Sequence, residues 1–452
     1  MARFRTVLLV SMFWQLLVFG AIPEFHLVAV RIEGTQADVE GIVISELRLP
    51  LEKSYSETEL FRAMVRLRRL PFVLDAEFRL EKGTEFQTYI LVIDIKETKR
   101  FFIDSEASVF RISRYSSPDQ TEEEVLGRNR LTLGYRTFPS SQSQLYGALS
   151  PGITLSERDQ EIPIRATGGF AHHNLGGGGR FFNLEAFYSE GETSFGSGEE
   201  DEVDGTYLGV DVLYALPLRK SQWLRFGSGA RWDETSFQTR YIDFFQNQTT
   251  IQRRNNDRDL LYFWADWDWN TLNDHALPTS GMRFKPGLAL VRQRTNFSLS
   301  QIQKVDEESF IDNRDAIAGF LTYEQYWQFL PRSTIFLRTG IRVARESVET
   351  QETFLNFGGP TAEVIEKTEY DFSGGLASGY IFDIFRGVRA EKYGDFRLEL
   401  AIQDAVERES FNPILGRSRR EELTSGIQNV SANLIFRNYW GVLRLGVSYG
   451  WD

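Results

Sequence analysis

The sequence predicts a transmembrane antiparallel β-barrel of about 14 to 16 strands preceded by one small β-α-α-β-β domain. Three observations predict it. The chain carries 36 Phe, 17 Tyr and 9 Trp beside 25% charged residues, and its mean hydropathy is nevertheless -0.31. Helical periodicity is confined to the region before Ile103, and beyond it the chain alternates apolar and polar residues in long segments separated by polar, glycine-containing connections. A membrane barrel needs this combination, because each strand turns one face to lipid and the other to a wet lumen, with aromatic girdles where lipid meets water.

The chain of 452 residues opens with Arg3 and Arg5, then an apolar run from Thr6 to Ala21 broken only by Ser11 and Gln15. Residues 1–23 therefore read as a secretory signal, with retention as an anchor as the alternative, since Phe19 stands where a small residue is preferred before cleavage. No later apolar run is long enough to cross a membrane as a helix.

Residues 24–102 form the small domain. Leu27 to Ile32 reads as a strand ending at Gly34. Val39, Ile42, Val43 and Leu47 lie on one helical stripe. A second helix starts at Ser56, where Glu59 completes a capping box, and runs through Leu60, Met64 and Leu67 to Pro71. Two strands follow, from Phe72 and from Gln87, joined near Lys82 and Gly83 as a hairpin.

Residues 103–452 form the barrel. Leu443, Leu445, Val447 and Tyr449 alternate with Arg444, Gly446 and Ser448. Ile335, Leu337, Thr339 and Ile341 alternate with Phe336, Arg338, Gly340 and Arg342, and Phe396, Leu398, Leu400 and Ile402 with Arg397, Glu399, Ala401 and Gln403. In the segment from Tyr262 to Asn270, Phe263, Ala265, Trp267 and Trp269 oppose Asp266 and Asp268. That face is too aromatic for a solvated edge, and its opposite is too acidic for a packed core. An even strand count is expected of a bacterial single-chain barrel. Ser194–Gly205 and Phe244–Asp259 read as long outward loops, and the stretches around Lys220 and Pro331 as tight turns.

Several function classes are excluded by composition or by missing motifs. A net charge of -12 opposes nucleic-acid binding, which requires a Lys/Arg surplus. With no cysteine there are no disulfides, thiolate metal sites or cysteine nucleophiles. No GxSxG, HExxH or P-loop motif occurs. His172 and His173 are neighbours on a strand and point to opposite faces, and Gly176–Gly179 lacks the Lys-Ser/Thr of a phosphate loop. We therefore expect neither catalysis nor a cofactor nor a metal.

These residues resemble the outer-membrane assembly barrels of the BamA, TamA and two-partner-secretion superfamily, the bacterial surface antigen family. Residues 25–100 are similar to its polypeptide-transport-associated (POTRA) repeat. His172–Phe187 is similar to an Asn-x-x-Gly-x-Gly turn of the family, Leu277–Phe284 to its Pro-Thr-x-Gly turn, and Phe354–Val364, with Gly358 and Gly359, to the entry of a loop that folds into the lumen. The Arg-Gly tip of that loop is missing here. The resemblance implies an outer-membrane location with the small domain in the periplasm, and assistance to polypeptide insertion or translocation. It implies the lipid bilayer, polypeptide clients and periplasmic or lipoprotein partners as contacts. The alternative is a passive channel or structural surface barrel that has lost the machinery.

Two sets of residues are singled out. Phe72, Leu74, Ala76, Phe78 and Leu80 form a candidate edge for pairing with an extended client, although Glu77, Arg79 and Glu81 equally suit an edge kept soluble. Asp266, Asp268, Arg338, Arg342, Arg397, Glu399 and Arg444 are candidate lumen-facing charges, for a pore or plug contact or simply to wet the lumen.

Overall fold

A computed structural model describes residues 24–117, 120–155, 160–161, 163–190, 202–219, 221–243, 248–274, 276–301, 304–356, 359–385, 395–412 and 422–451. The expected signal segment and Gly358 lie outside the described residues, as does His275, which the sequence places in a turn beside Asp274 with no expectation of catalysis.

The N-terminal unit runs β1 (Glu24–Glu33), α1 (Glu40–Leu47), β2 (Lys53–Ser56), α2 (Glu57–Leu67), β3 (Val73–Lys82) and β4 (Thr88–Glu97). Its sheet order is β2-β1-β4-β3, with β1 and β4 parallel. The short β2 is an addition to the expected order; it is a four-residue strand with no apolar alternation to reveal it. Ser56 caps α2, accepting from the Glu59 amide at 3.3 Å while Glu59 accepts from the Ser56 amide at 3.2 Å. That reciprocal box satisfies two otherwise orphaned donors and fixes where the helix begins. Leu27, Ile42, Leu60, Leu67, Leu91 and Ile93 are fully buried between helices and sheet.

The barrel follows after three residues, beginning at Phe101 rather than at 103. Its first strands are β5 (Phe101–Ser117), β6 (Gln120–Ser140), β7 (Ser143–Leu155), β8 (Gln160–Glu161), β9 (Ile164–His172) and β10 (Phe181–Glu190). Next come β11 (Glu202–Arg219), β12 (Gln222–Asp243), β13 (Gln248–Asn270), β14 (Gly281–Gln301) and β15 (Lys304–Leu330). The last are β16 (Ser333–Asn356), β17 (Gly359–Phe385), β18 (Asp395–Asn412), β19 (Glu422–Asn438) and β20 (Gly441–Trp451). β8 is a two-residue stub on the end of β7, so 15 strands make the wall among the described residues.

The count lies within the expected range, but its parity does not. Neighbouring strands alternate in direction, so an odd number forces the first and last to run the same way. β20 pairs with β5 in parallel, from Leu443↔Ser105 to Trp451↔Ser113, and every other wall pairing is antiparallel. The barrel is therefore mixed rather than purely antiparallel.

Alternation sets the two faces as expected. Leu443, Leu445, Val447 and Tyr449 are exposed on the outside of β20, as are Ile335 and Ile341 on β16 and Leu400 and Ile402 on β18. A closed sheet with an apolar exterior is the form in which strands cross a membrane, since no backbone edge meets lipid. Three connections differ from expectation: Glu202–Gly205, read as the end of a loop, opens β11 and pairs with β12, and two others lie farther along. Residues Gln248–Asp259, read as loop, belong to β13 and pair with β12 and β14. The segment after Gly359, read as the entry to an inward loop, is β17, paired with β16 from Asn356↔Gly359 onward. In both, polar residues alternate with few apolar ones because the strands rise beyond the apolar band, where neither face needs to be greasy.

Candidate functional site

Buried charges line the lumen of the wall from β12 to β19. Arg225 grips Asp266 with two hydrogen bonds of 2.8 and 2.9 Å and reaches Asp268 at 3.2 Å. Arg283 grips Asp268 at 3.0 and 2.9 Å, and Lys285 lies 3.5 Å from Asp266. The five side chains form a network of mixed sign over three strands, backed by Trp264, whose ring faces both Arg225 and Lys285. Such fork-to-fork pairs hold geometry as well as charge. Further round, Arg338 bridges two strands to Glu399 at 2.9 and 3.2 Å, donates to the Tyr326 hydroxyl at 2.8 Å and stacks on Phe336.

The turn Thr271–Ser280 folds from the domain-side end into the lumen. Its shape is local: the Asn273 side chain accepts from the amides of Thr279 and Ser280 and donates to the Thr279 hydroxyl, while Asp274 accepts from the amides of Ala276 and Leu277. These side chains stand in for backbone partners, as Asn and Asp do in turns. The opposite wall then holds the turn. Arg397 on β18 pairs with Asp383 at 2.8 Å and donates to the carbonyls of Pro278 and Leu277, both at 3.1 Å. Arg437 on β19 reaches Asp274 at 2.8 Å and Asp395 at 2.7 Å. Thr279 is fully buried.

The N-terminal domain sits across the same mouth. Arg69 donates to the Leu272 carbonyl at 2.8 Å. Arg48 lies 4.2 Å over the Trp223 ring and donates to the Arg219 carbonyl. Phe138 of β6 joins the domain's own core, packing edge-on to Phe72 at 5.2 Å, and Arg136 donates to the Pro71 carbonyl. Gly41 lies against Ser141 so closely that a side chain has no room. The glycine turn after β9 also faces the domain: Gly176 to Gly179 all have φ between 65° and 79°, a region that β-carbon-bearing residues avoid. Between cap and barrel lies a chamber of about 790 Å³. At its edge, burial raises the Glu46 carboxyl among Arg48, Arg66 and Arg69, and lowers both Arg66 and Arg69 to about 10. Burial also pushes Glu97, at the hinge into β5, up to about 7.

The seam between β20 and β5 stands beside this cap. The linker pins its foot: the Lys99 amide donates to the Tyr439 carbonyl and the Ile103 amide to the Trp440 carbonyl, both at 2.7 Å, and Asp104 accepts from the Val442 amide.

The structure draws Asp266 and Asp268 into one network, and Arg338 and Glu399 into another. Arg397 sits at the inward turn. Arg342 stands apart, half exposed and 3.7 Å from Glu346. Arg444 lines both the chamber and a smaller cavity of about 280 Å³ without an ion-pair partner among the described residues. β3 is an edge strand, but Phe72 and Ala76 are buried in the core. At Ala76 both outward backbone groups are taken, the amide by Asp75 and the carbonyl by Arg68. The open edge therefore begins near Phe78. Gly359 opens β17 and leads into no inward loop. Sequence reasoning missed Arg225, Arg283 and Arg437, and it placed Asp274 in a turn beside His275 without its role in holding that turn. Opposite charges at facing positions of successive strands were the available signal for the first two, and the Asn-Asp pair before Pro278 for the turn.

No protein-family model and no curated protein matches the chain. Among solved structures it is similar to BamA from Haemophilus ducreyi lacking POTRA domains 1-3, at 12% identity and TM-score 0.38 over 94% of this chain and 81% of that one. It is also similar to CdiB from Acinetobacter baumannii, at 7% identity and TM-score 0.36 over 94% and 73%. The ferric citrate transporter FecA matches at 10% identity and TM-score 0.37 over 79% and 60%. Likeness at this level joins assembly barrels and import receptors alike, so it decides neither family nor activity.

Proposed function

We propose that this chain is a non-enzymatic outer-membrane factor that assists insertion or translocation of polypeptides, its POTRA-like domain facing the periplasm and receiving the client. The β20–β5 seam is the observation that carries the reading. Parallel pairing is slightly less stable per residue than antiparallel, and this ladder is shorter than those of the tall wall. A client strand in the membrane needs a partner for every backbone group, and parted seam strands supply two edges. The free part of β3, from Phe78 to Lys82, offers an extended client its first backbone partners. The capped mouth and the inward turn favour a barrel acting as a template at its seam over one acting as a conduit through its lumen. Lipoprotein or periplasmic partners fit the exposed helical side of the domain, where Ile44 and Phe61 stand uncovered.

A passive or structural surface barrel is the second reading. It is favoured by the straight run of β17 from Gly359, where assembly barrels place an inward loop.

Locking the seam separates the two. Leu445 and Ala107 face each other across it, and the chain has no cysteine of its own, so L445C/A107C under oxidising conditions forms a single cross-link. Depletion of the chain is expected to lower several unrelated outer-membrane barrels, with the unlocked variant restoring them and the locked one failing. Loss of one surface protein alone points to a dedicated transporter. An unchanged outer-membrane proteome on depletion, or full rescue by the locked protein, refutes the assembly reading.

A further inference from the structure

The chamber of about 790 Å³ between the N-terminal domain and the barrel mouth has a lining of mixed character. Leu70, Phe102, Phe181 and Leu213 supply apolar surface, and seven arginines face three carboxylates, Glu46, Asp104 and Asp268. Those carboxylates are committed elsewhere. Asp268 is gripped by Arg283 and reached by Arg225, Asp104 accepts from the Val442 amide, and Glu46 lies 3.8 Å from Arg48. Arg437 is held by Asp274 and Asp395. Arg66, Arg69, Arg136 and Arg444 therefore line the chamber with no carboxylate at ion-pair distance among the described residues.

Arg69 has an open guanidinium fork. It donates through Nε to the Leu272 carbonyl at 2.8 Å, and neither terminal nitrogen makes a hydrogen bond among the described residues. By contrast, Arg66 donates to the carbonyls of Glu46, Arg62 and Leu47, and Arg136 donates to Pro71 while lying over the Phe102 ring. Burial disfavours the charge on Arg69; Glu46 and Asp268 offset part of this, and Arg66 on the domain side and Arg283 on the wall side add to it. An anion set between domain and wall favours such a charge. In the same lining, Arg136 Nε and His173 Nε2 are buried without a hydrogen-bond partner.

We propose that the chamber is a binding site for a small soluble organic oxyanion, its phosphate or carboxylate head on the Arg69 fork and its apolar body against the barrel wall. The volume falls within the roughly 300–1,000 Å³ of small-molecule sites, which combine an apolar lining with a few placed polar groups. A guanidinium fork meets either head with two parallel, charge-assisted hydrogen bonds. The closed wall separates the chamber from the acyl region, so the ligand arrives from the water side. Arg69 belongs to the domain, whereas Phe102, Phe181 and Leu213 belong to β5, β10 and β11. An occupant touching both binds the capped state and stabilises it. The site goes beyond the assembly reading and does not rest on it.

Isothermal titration calorimetry of the full-length protein in phosphatidylcholine nanodiscs tests it, with phenyl phosphate as the probe. One saturable site is expected, at least about tenfold tighter than inorganic phosphate, which lacks the ring, or phenol, which lacks the charge. R69M should weaken the probe about tenfold, the lower end of what a charged hydrogen bond supplies. L213W, which narrows the chamber from the wall, should weaken it with Arg69 intact, and R342Q elsewhere in the lumen should leave it unchanged. Hydrogen exchange places the probe, with protection expected together at Leu70 on the domain and Ala276 on the inward turn. Heat-modifiable migration on gels shows that each variant remains folded, and L213W keeps the test decisive if R69M does not fold. Absence of saturable binding, equal affinity for inorganic phosphate, binding unaffected by R69M (or by L213W where R69M does not fold), or protection confined to other segments overturns the proposal. So does displacement of the probe by phosphatidylglycerol added to the disc, which assigns the head to a lipid.

Discussion

The wall around the inward turn and the seam between β20 and β5 are built from the same alternating strands and are held in opposite ways. Between β16 and β17 the ladder runs without a break from Ser333↔Phe382 to Asn356↔Gly359, and Arg338, Arg397 and Arg437 tie neighbouring strands and the turn together from inside. At the seam the ladder is parallel and ends at Trp451, and its foot is fixed by backbone contacts with the domain linker and by Asp104. Mechanical strength in this barrel is thus unevenly distributed. It is concentrated where side chains cross-brace the backbone and is expected to be lower where the barrel's first and last strands meet in parallel.

The strongest blow to the braced side is R397M. It leaves Asp383 buried without its cation and two turn carbonyls without their donor, a loss expected at about 3–5 kcal/mol, measured by urea unfolding of the folded barrel in detergent. Little change would show that the turn rests on Arg437 and its own Asn-Asp framework.

F138A removes the barrel's contribution to the domain core and should weaken capping by about 3 kcal/mol. Planar-bilayer recording is expected to show a quiet wild type and frequent openings in the variant. Equal currents would place the barrier in the inward turn instead.

Hydrogen exchange sharpens the contrast without mutation. Amides of Leu443 to Trp451 should exchange at least about tenfold faster than those of Ile335 to Val343, a difference of about 1.4 kcal/mol in local opening. Uniform protection would remove the weak seam from the account.

The smallest effect concerns pH at the hinge beside the seam. Glu97 titrates higher in the folded protein than in the unfolded chain because burial disfavours its charge, and Asp38 adds to this while the Gln36 amide, Arg100 and Arg136 oppose it. Its contribution is fully present below the unfolded value near 4.5 and is lost as pH rises through about 7. Domain melting should fall between about pH 4.5 and 7 in the wild type, where the native state keeps a proton that the unfolded chain releases, and less in E97Q. Identical slopes would exclude Glu97 as the titrating group.

Much of this was legible in the chain. The capping box at Ser56, the glycine turn at Gly176–Gly179 and the outward stripe Leu443, Leu445, Val447, Tyr449 each rest on interactions within a few residues or on the period-two geometry of a strand. The luminal charges could be assigned to a face for the same reason. Their partners could not: Arg397 meets Pro278 across the lumen, and Arg338 reaches Glu399 over an intervening strand. The expected inward loop at Gly359 and the expected loop at Gln248–Asp259 failed because a strand leaving the membrane loses its apolar alternation and then reads like a connection.

The sequence by itself determined which residues face lipid and which face the lumen and where the tight turns fall, because these follow from local periodicity and turn chemistry. Only the tertiary structure decided the odd strand count, the parallel seam, the capping of the mouth by the domain and the inward path of Thr271–Ser280. Each depends on how the sheet closes on itself, and closure joins residues hundreds of positions apart, such as Ser105 and Leu443, that share no local pattern.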